Sequence, residues 1–96
     1  MIYIKLFEQV GSFAENKDLA RDIRLNKIIP ALEKKQDIVL DFEKIDVATQ
    51  SFVHALISDL FRKYGRRVLD RIEFKSCSRT VQKIITIVIS YMQESE

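Results

Sequence analysis

The stretch Thr49-Gln50-Ser51-Phe52-Val53-His54-Ala55-Leu56-Ile57-Ser58 carries the most informative set of polar side chains in the chain. On a helix that starts near Ser51, the side chains of Ser51, His54, Ser58 and then Arg62 point away from the Phe52, Val53, Leu56 and Leu60 face. They make a polar stripe that leads off the helix start. A helix start offers N–H groups with no intrahelical partner and a partial positive charge. It can therefore receive a carboxylate or phosphate, or hold a phosphorylated hydroxyl. The same geometry serves plain capping by Thr49 or Ser51. The residues themselves weigh capping alone and capping with recognition equally.

Other chemistry is thinly represented. A Cys-His hydrolase needs a thiolate, an imidazole and an oxyanion hole, and the chain has one of each residue, Cys77 and His54. Cys77 lies at a strand end, where a small buried hydrophobe is the expected role. Zinc wants three or four suitably spaced ligands, and the sequence offers no such set. The two glycines, Gly11 and Gly65, cannot build a phosphate-cradling loop. Asp41, Glu43 and Asp46 are read as solvated carboxylates on a strand-to-helix connection in preference to an Mg²⁺ or acid–base cluster. The expectation is a protein with no catalytic residues, metal or cofactor.

The densest basic run is Arg62, Lys63, Arg66, Arg67 and Arg71, with Phe61 and Tyr64 beside it. A nucleic-acid face would use such charges together. However, Phe61 and Tyr64 already belong to the apolar stripe of their helix, and cations at a helix C-terminus are favoured by its dipole. A nucleic-acid-associated regulator that uses Arg62 to Arg71 is therefore the alternative reading, behind protein binding.

The elements that must position these residues follow from periodicity. Ile2, Ile4 and Leu6 alternate with Tyr3, Lys5 and Phe7 as in a strand, and a turn follows at Val10-Gly11-Ser12. From an N-cap at Asn16 the spacing turns helical: Leu19, Ala20, Ile23, Ile28, Ile29 and Leu32 share one side. Lys17, Asp18, Arg21, Asp22 and Arg24 lie mostly on the other. Pro30 predicts a kink or break, and Lys34-Lys35-Gln36 a polar turn. The run from Asp37 to Phe42 reads as a central strand buried on both faces, and Glu43 to Gln50 as a connection. Phe52 to Tyr64 is a helix that Gly65 ends. Residues Arg71 to Lys75 alternate as a third strand, and Ser76-Cys77-Ser78 turns into a last helix. That helix is rich in β-branched residues, but Arg79, Gln82, Lys83, Thr86, Ser90 and Gln93 keep a helical repeat opposite Val81, Ile84, Ile85, Val88 and Met92. Ile87 and Ile89 lie off this stripe. The last helix is thus apolar over more of its circumference than one sheet face needs, which marks a candidate homodimer or partner interface.

Strands that alternate with helices at these separations predict an α/β domain with a short, mostly parallel or mixed sheet packed by about three helices. At 96 residues the chain has room for one domain, residues 1–96. The 47% hydrophobic and 31% charged composition is that of an ordinary globule rather than a disordered segment. No stretch is apolar enough to span a bilayer. The first residues lack signal-peptide features, and a single cysteine suits a reducing compartment, so a cytoplasmic protein is expected. A net charge of +2 is too small to argue for nucleic acid or membrane by itself.

The order of elements and the stretch from Val39 to Phe52 resemble the STAS domain, shared by anti-sigma-factor antagonists and sulfate transporters. More closely, the chain is similar to a family of small bacterial STAS-like proteins. The similarity runs from Gly11-Ser12-Phe13 through Leu40-Asp41-Phe42 and Thr49-Gln50-Ser51-Phe52 to Arg71-Ile72-Glu73-Phe74-Lys75 and the Ile-rich last helix. Its motifs are short and apolar, so it holds in sum more than in any piece. In the antagonists a loop after the equivalent strand leads to an Asp-Ser-Ser/Thr-Gly motif whose first Ser is phosphorylated by a kinase. Here Thr49 stands at the Asp, Gln50 at the phosphorylated Ser, Ser51 at the second hydroxyl and Phe52 at the Gly. The usual phosphoacceptor is therefore replaced, and Ser51 becomes the candidate phosphorylation site. The resemblance implies a bacterial, non-enzymatic regulatory module. Its contact surface would be Thr49, Gln50, Ser51, His54 and Ser58, and its partner a histidine-kinase-like ATPase of the anti-sigma type.

Overall fold

The computed structural model describes residues 1–94. Three strands, β1 (Ile2–Lys5), β3 (Ile38–Asp41) and β5 (Ile72–Lys75), form a parallel sheet in the order β1-β3-β5. The register sets Ile4 opposite Leu40 and Leu40 opposite Phe74. A second, two-stranded parallel sheet joins β2 (Phe13–Ala14) to β4 (Val47–Ala48). Between strands lie α1 (Phe7–Val10), α2 (Lys17–Ile23), α3 (Ile29–Glu33) and α4 (Gln50–Tyr64), and α5 (Arg79–Glu94) follows β5. The chain is thus α/β with small parallel sheets, as its periodicity predicts.

Alternation decides which face is covered. Ile4, Leu6, Ile38, Leu40 and Ile72 are buried in the core with Phe52, Val53, Leu56 and Leu60 of α4 and Val81, Ile85 and Val88 of α5. The opposite face of the sheet presents Tyr3, Lys5, Glu73 and Lys75 to solvent. Parallel sheets usually carry cover on both faces. Here the central strand remains buried because its neighbours' long side chains shield it: Val39 lies between Tyr3 and Glu73 in register, and Asp41 between Lys5 and Lys75. Asp41 is not the solvated carboxylate expected from its sequence setting. It is buried and accepts the Tyr3 hydroxyl at 2.8 Å and the Glu43 N–H at 2.9 Å. Burial pushes its carboxyl upward. Those two donors and the charges of Lys75 and Lys5 outweigh that and hold it below its ordinary value.

Pro30 produces neither a break nor a plain kink. Asn16 caps α2 by accepting the N–H groups of Asp18 and Leu19. The helix then widens into a π-turn over Arg24–Ile28, closed by the Ile29 N–H on the Arg24 carbonyl, and Pro30 enters in the first turn of α3. An α-helical proline would clash with the carbonyl four residues back. The wider turn just before Pro30 moves the backbone away from that contact and keeps the segment helical. Arg24, expected on the polar face, is buried against α4: it donates to the Ala55 carbonyl and pairs with Asp59 at 3.1 Å.

Gly65 ends α4 as expected, and Gly11 ends α1 in nearly the same conformation (φ 78°, ψ −172° and φ 75°, ψ −168°). This region is essentially closed to other residues. A β-carbon at either site would meet nothing within 4 Å, so the constraint lies in the backbone alone.

Candidate functional site

The entry to α4 is fixed before the helix begins. Ala48 is buried, β4 pairs with β2, and the Thr49 N–H bonds to the Ala14 carbonyl at 2.9 Å. Thr49 sits in extended backbone as the N-cap, and its Oγ1 accepts the Phe52 N–H at 3.1 Å. Ser51 Oγ lies 3.2 Å from Thr49 Oγ1. Phe52 and Val53 drive into the core, which leaves Gln50, Ser51 and His54 exposed. The start of α5 is tied to the same region. Ser78 Oγ accepts the Val81 N–H and donates to the Asp46 carbonyl at 3.3 Å. That cap was not foreseen; its only sequence signal is a hydroxyl residue just before Arg79.

The result is a groove of about 440 Å³. Gln50, Ser51, His54 and Ala55 of α4 form one wall and Ile87, Val88 and Tyr91 of α5 the other, with Lys17 at the start of α2. Two features found separately in the sequence, the polar stripe of α4 and the surplus apolar surface of α5, therefore meet in one place. Ile87 is 47% exposed and Tyr91 67%. The second expected interface residue, Ile89, is half-buried and packs against the core, so the exposed apolar surface is that of Ile87 and Tyr91.

One expected contact residue does not belong to the surface. Ser58 is buried. Its position repeats that of Ser51 around the helix, but α4 is packed by both α2 and α5. Away from its first turn, a wider arc of α4 is therefore covered than a single stripe allows.

The basic run is largely engaged with other groups. Arg62 pairs with Asp59 at 3.3 Å, Lys63 with Glu33 at 3.4 Å and Arg71 with Asp37 at 3.3 Å. Phe61 is buried and Tyr64 half-buried, so neither offers an open ring for stacking on a base. Among the described residues no three His, Cys, Asp or Glu side chains converge as metal ligands. Among the same residues no helix is long and apolar enough to cross a membrane.

Burial, with a smaller contribution from the Asp41 charge, pushes the Cys77 thiol up to about 11. At pH 7 the thiolate fraction is then about one in ten thousand, far below that of an ordinary cysteine. Iodoacetamide labelling of the native protein is expected to lag a free thiol at least tenfold at pH 7 and to rise steadily towards pH 11. Labelling at the rate of a free thiol would contradict this.

A parallel α/β core with a capped helix start beside an exposed apolar helix defines a small domain of the STAS-like class. The family model described as a STAS-like domain of unknown function (DUF4325) matches residues 20–82, and the chain belongs to that family. The match begins within α2, takes in the central strand, all of α4 and β5, and ends in the first turn of α5. No curated protein and no solved structure matches the chain.

Proposed function

We propose that this STAS-like domain is a non-enzymatic protein-interaction module that docks through the groove between α4 and α5 and regulates the protein it binds. The observation that carries this reading is the groove itself, which sets Gln50, Ser51 and His54 opposite exposed Ile87 and Tyr91. An apolar wall facing a few polar groups suits a protein surface. The family resemblance points to a partner of the histidine-kinase-like ATPase type, and the apolar wall of α5 also suits a second copy of this chain. Ser51, beside the Thr49 cap, is the hydroxyl best placed to carry a regulatory phosphate. The reducing compartment suggested by a lone cysteine fits a cytoplasmic protein.

The test uses Ile87→Asp, which places a charge on the apolar wall at an exposed position. The variant is expected to melt like the wild type and to lose at least about tenfold in affinity for the protein that wild-type chain retains from host extract. Undiminished retention by a normally melting variant would move the docking surface elsewhere.

A further inference from the structure

The three-stranded sheet ends at β1, and the outer side of that strand carries unused backbone groups. The N–H groups of Ile2 and Leu6 bond to the Asp37 and Asp41 carbonyls at 2.8 and 3.1 Å. In a parallel ladder, alternate residues turn to opposite neighbours. The N–H and C=O groups of Tyr3 and Lys5 therefore face away from β3. Among the described residues no strand pairs with that side. Beside it lies a cleft of about 320 Å³, with Lys27, Pro30, Ala31 and Lys34 of the π-turn and α3 opposite β1. Among the described residues no carboxylate lines this cleft. It shares no residue with the groove between α4 and α5.

We propose that the free edge of β1 receives an extended acidic segment of another protein as an added strand. The backbone supplies the ladder through Tyr3 and Lys5, the mode by which sheet edges capture peptides. One face of the incoming strand meets Pro30 and Ala31 between Lys27 and Lys34, and the other lies beside Tyr3 and Lys5. Alternate side chains on each face fall about 7 Å apart. Glutamates flanking an apolar residue thus meet lysines on both sides of the strand. The same lysines count against the simplest competitor, a second copy paired through β1. That pairing would set two lysine-bearing edges along one seam, and edge lysines guard sheets against such association.

The experiment titrates the ¹⁵N-labelled full chain with a synthetic peptide built around Glu-Glu-Val-Val-Glu-Glu, which sets a valine between two glutamates on each face of a strand, and with the same peptide carrying lysine for glutamate. With the glutamate peptide, the Tyr3 and Lys5 amides are expected to shift and to exchange at least tenfold more slowly. The double variant Lys27→Glu/Lys34→Glu, at two exposed positions, is expected to melt like the wild type and bind this peptide at least tenfold more weakly. Ile87→Asp is expected to bind it as the wild type does, which separates this edge from the groove. Unprotected Tyr3 and Lys5 amides at millimolar peptide, equal protection by the lysine peptide, or undiminished binding by the folded double variant would each overturn the proposal.

Discussion

The double variant Gln50→Ala/His54→Ala is expected to fold and melt as the wild type does and to bind the protein partner about thirty-fold more weakly. Both side chains are exposed on the rim of the groove, and neither belongs to the core. Truncating plain surface positions costs about 0.5 kcal/mol or less each. Residues at the centre of an interface commonly cost 2 kcal/mol or more in affinity, which is about thirty-fold. Thermal melts beside a binding titration read both quantities. Lowered melting with a proportionate binding defect would make the two side chains structural, and normal melting with full affinity would remove them from the contact surface.

Two residues further along the helix, the opposite pattern is expected. Leu56 is completely buried, in the middle of α4 and between the sheet and the neighbouring helices. Leu56→Ala removes buried methyl groups from a site that cannot collapse fully around the loss, so about 2–5 kcal/mol of stability should go. A domain of this size holds roughly 5–15 kcal/mol in all. Each kcal/mol moves the melting temperature of such a domain by about 4–8 °C, so a fall of at least about 8 °C is expected. At temperatures where the variant remains folded, its partner affinity should match the wild type. A melt within 2–3 °C of wild type, about the shift of a plain surface change, would mean that α4 contributes less to the core than its burial implies. Together, the two variants separate the faces of one helix by function.

Much of this architecture was legible in the amino-acid pattern, and the exceptions share physical causes. The strands around Ile4, Leu40 and Ile72 and the helices around Leu56 and Val88 follow periods long enough to detect. The pair Phe13–Ala14 and Val47–Ala48 does not, because a two-residue strand has no period. Arg24 and Ser58 were assigned to solvent on the assumption that each helix is covered along one stripe. In the structure, α4 packs against α2 and α5 at once, so more of its circumference is covered, Ser58 is buried, and Arg24 is buried against α4 through its pairing with Asp59. Pro30 was read through the α-helical clash alone, and the π-turn that relieves the clash has no sequence signature of its own. Gln50, Ser51, His54 and Ile87 are surface residues by two separate sequence arguments. Their meeting in one groove is not visible in the sequence, since it depends on how α5 crosses the start of α4.

Every hydrogen-bonded strand pair joins residues far apart along the chain. Ile2 pairs with Ile38, Ile38 with Ile72, and Phe13 with Val47. Among the described residues no hairpin links neighbouring strands to give either sheet an early foothold. The entropy of closing each long loop is lost before any ladder bond offsets it, which is the regime in which topology slows folding. The shorter helices, α2 and α3, are too brief to persist alone. Closing the long loops that bring β1, β3 and β5 together therefore weighs most in the time this domain spends searching for its native state.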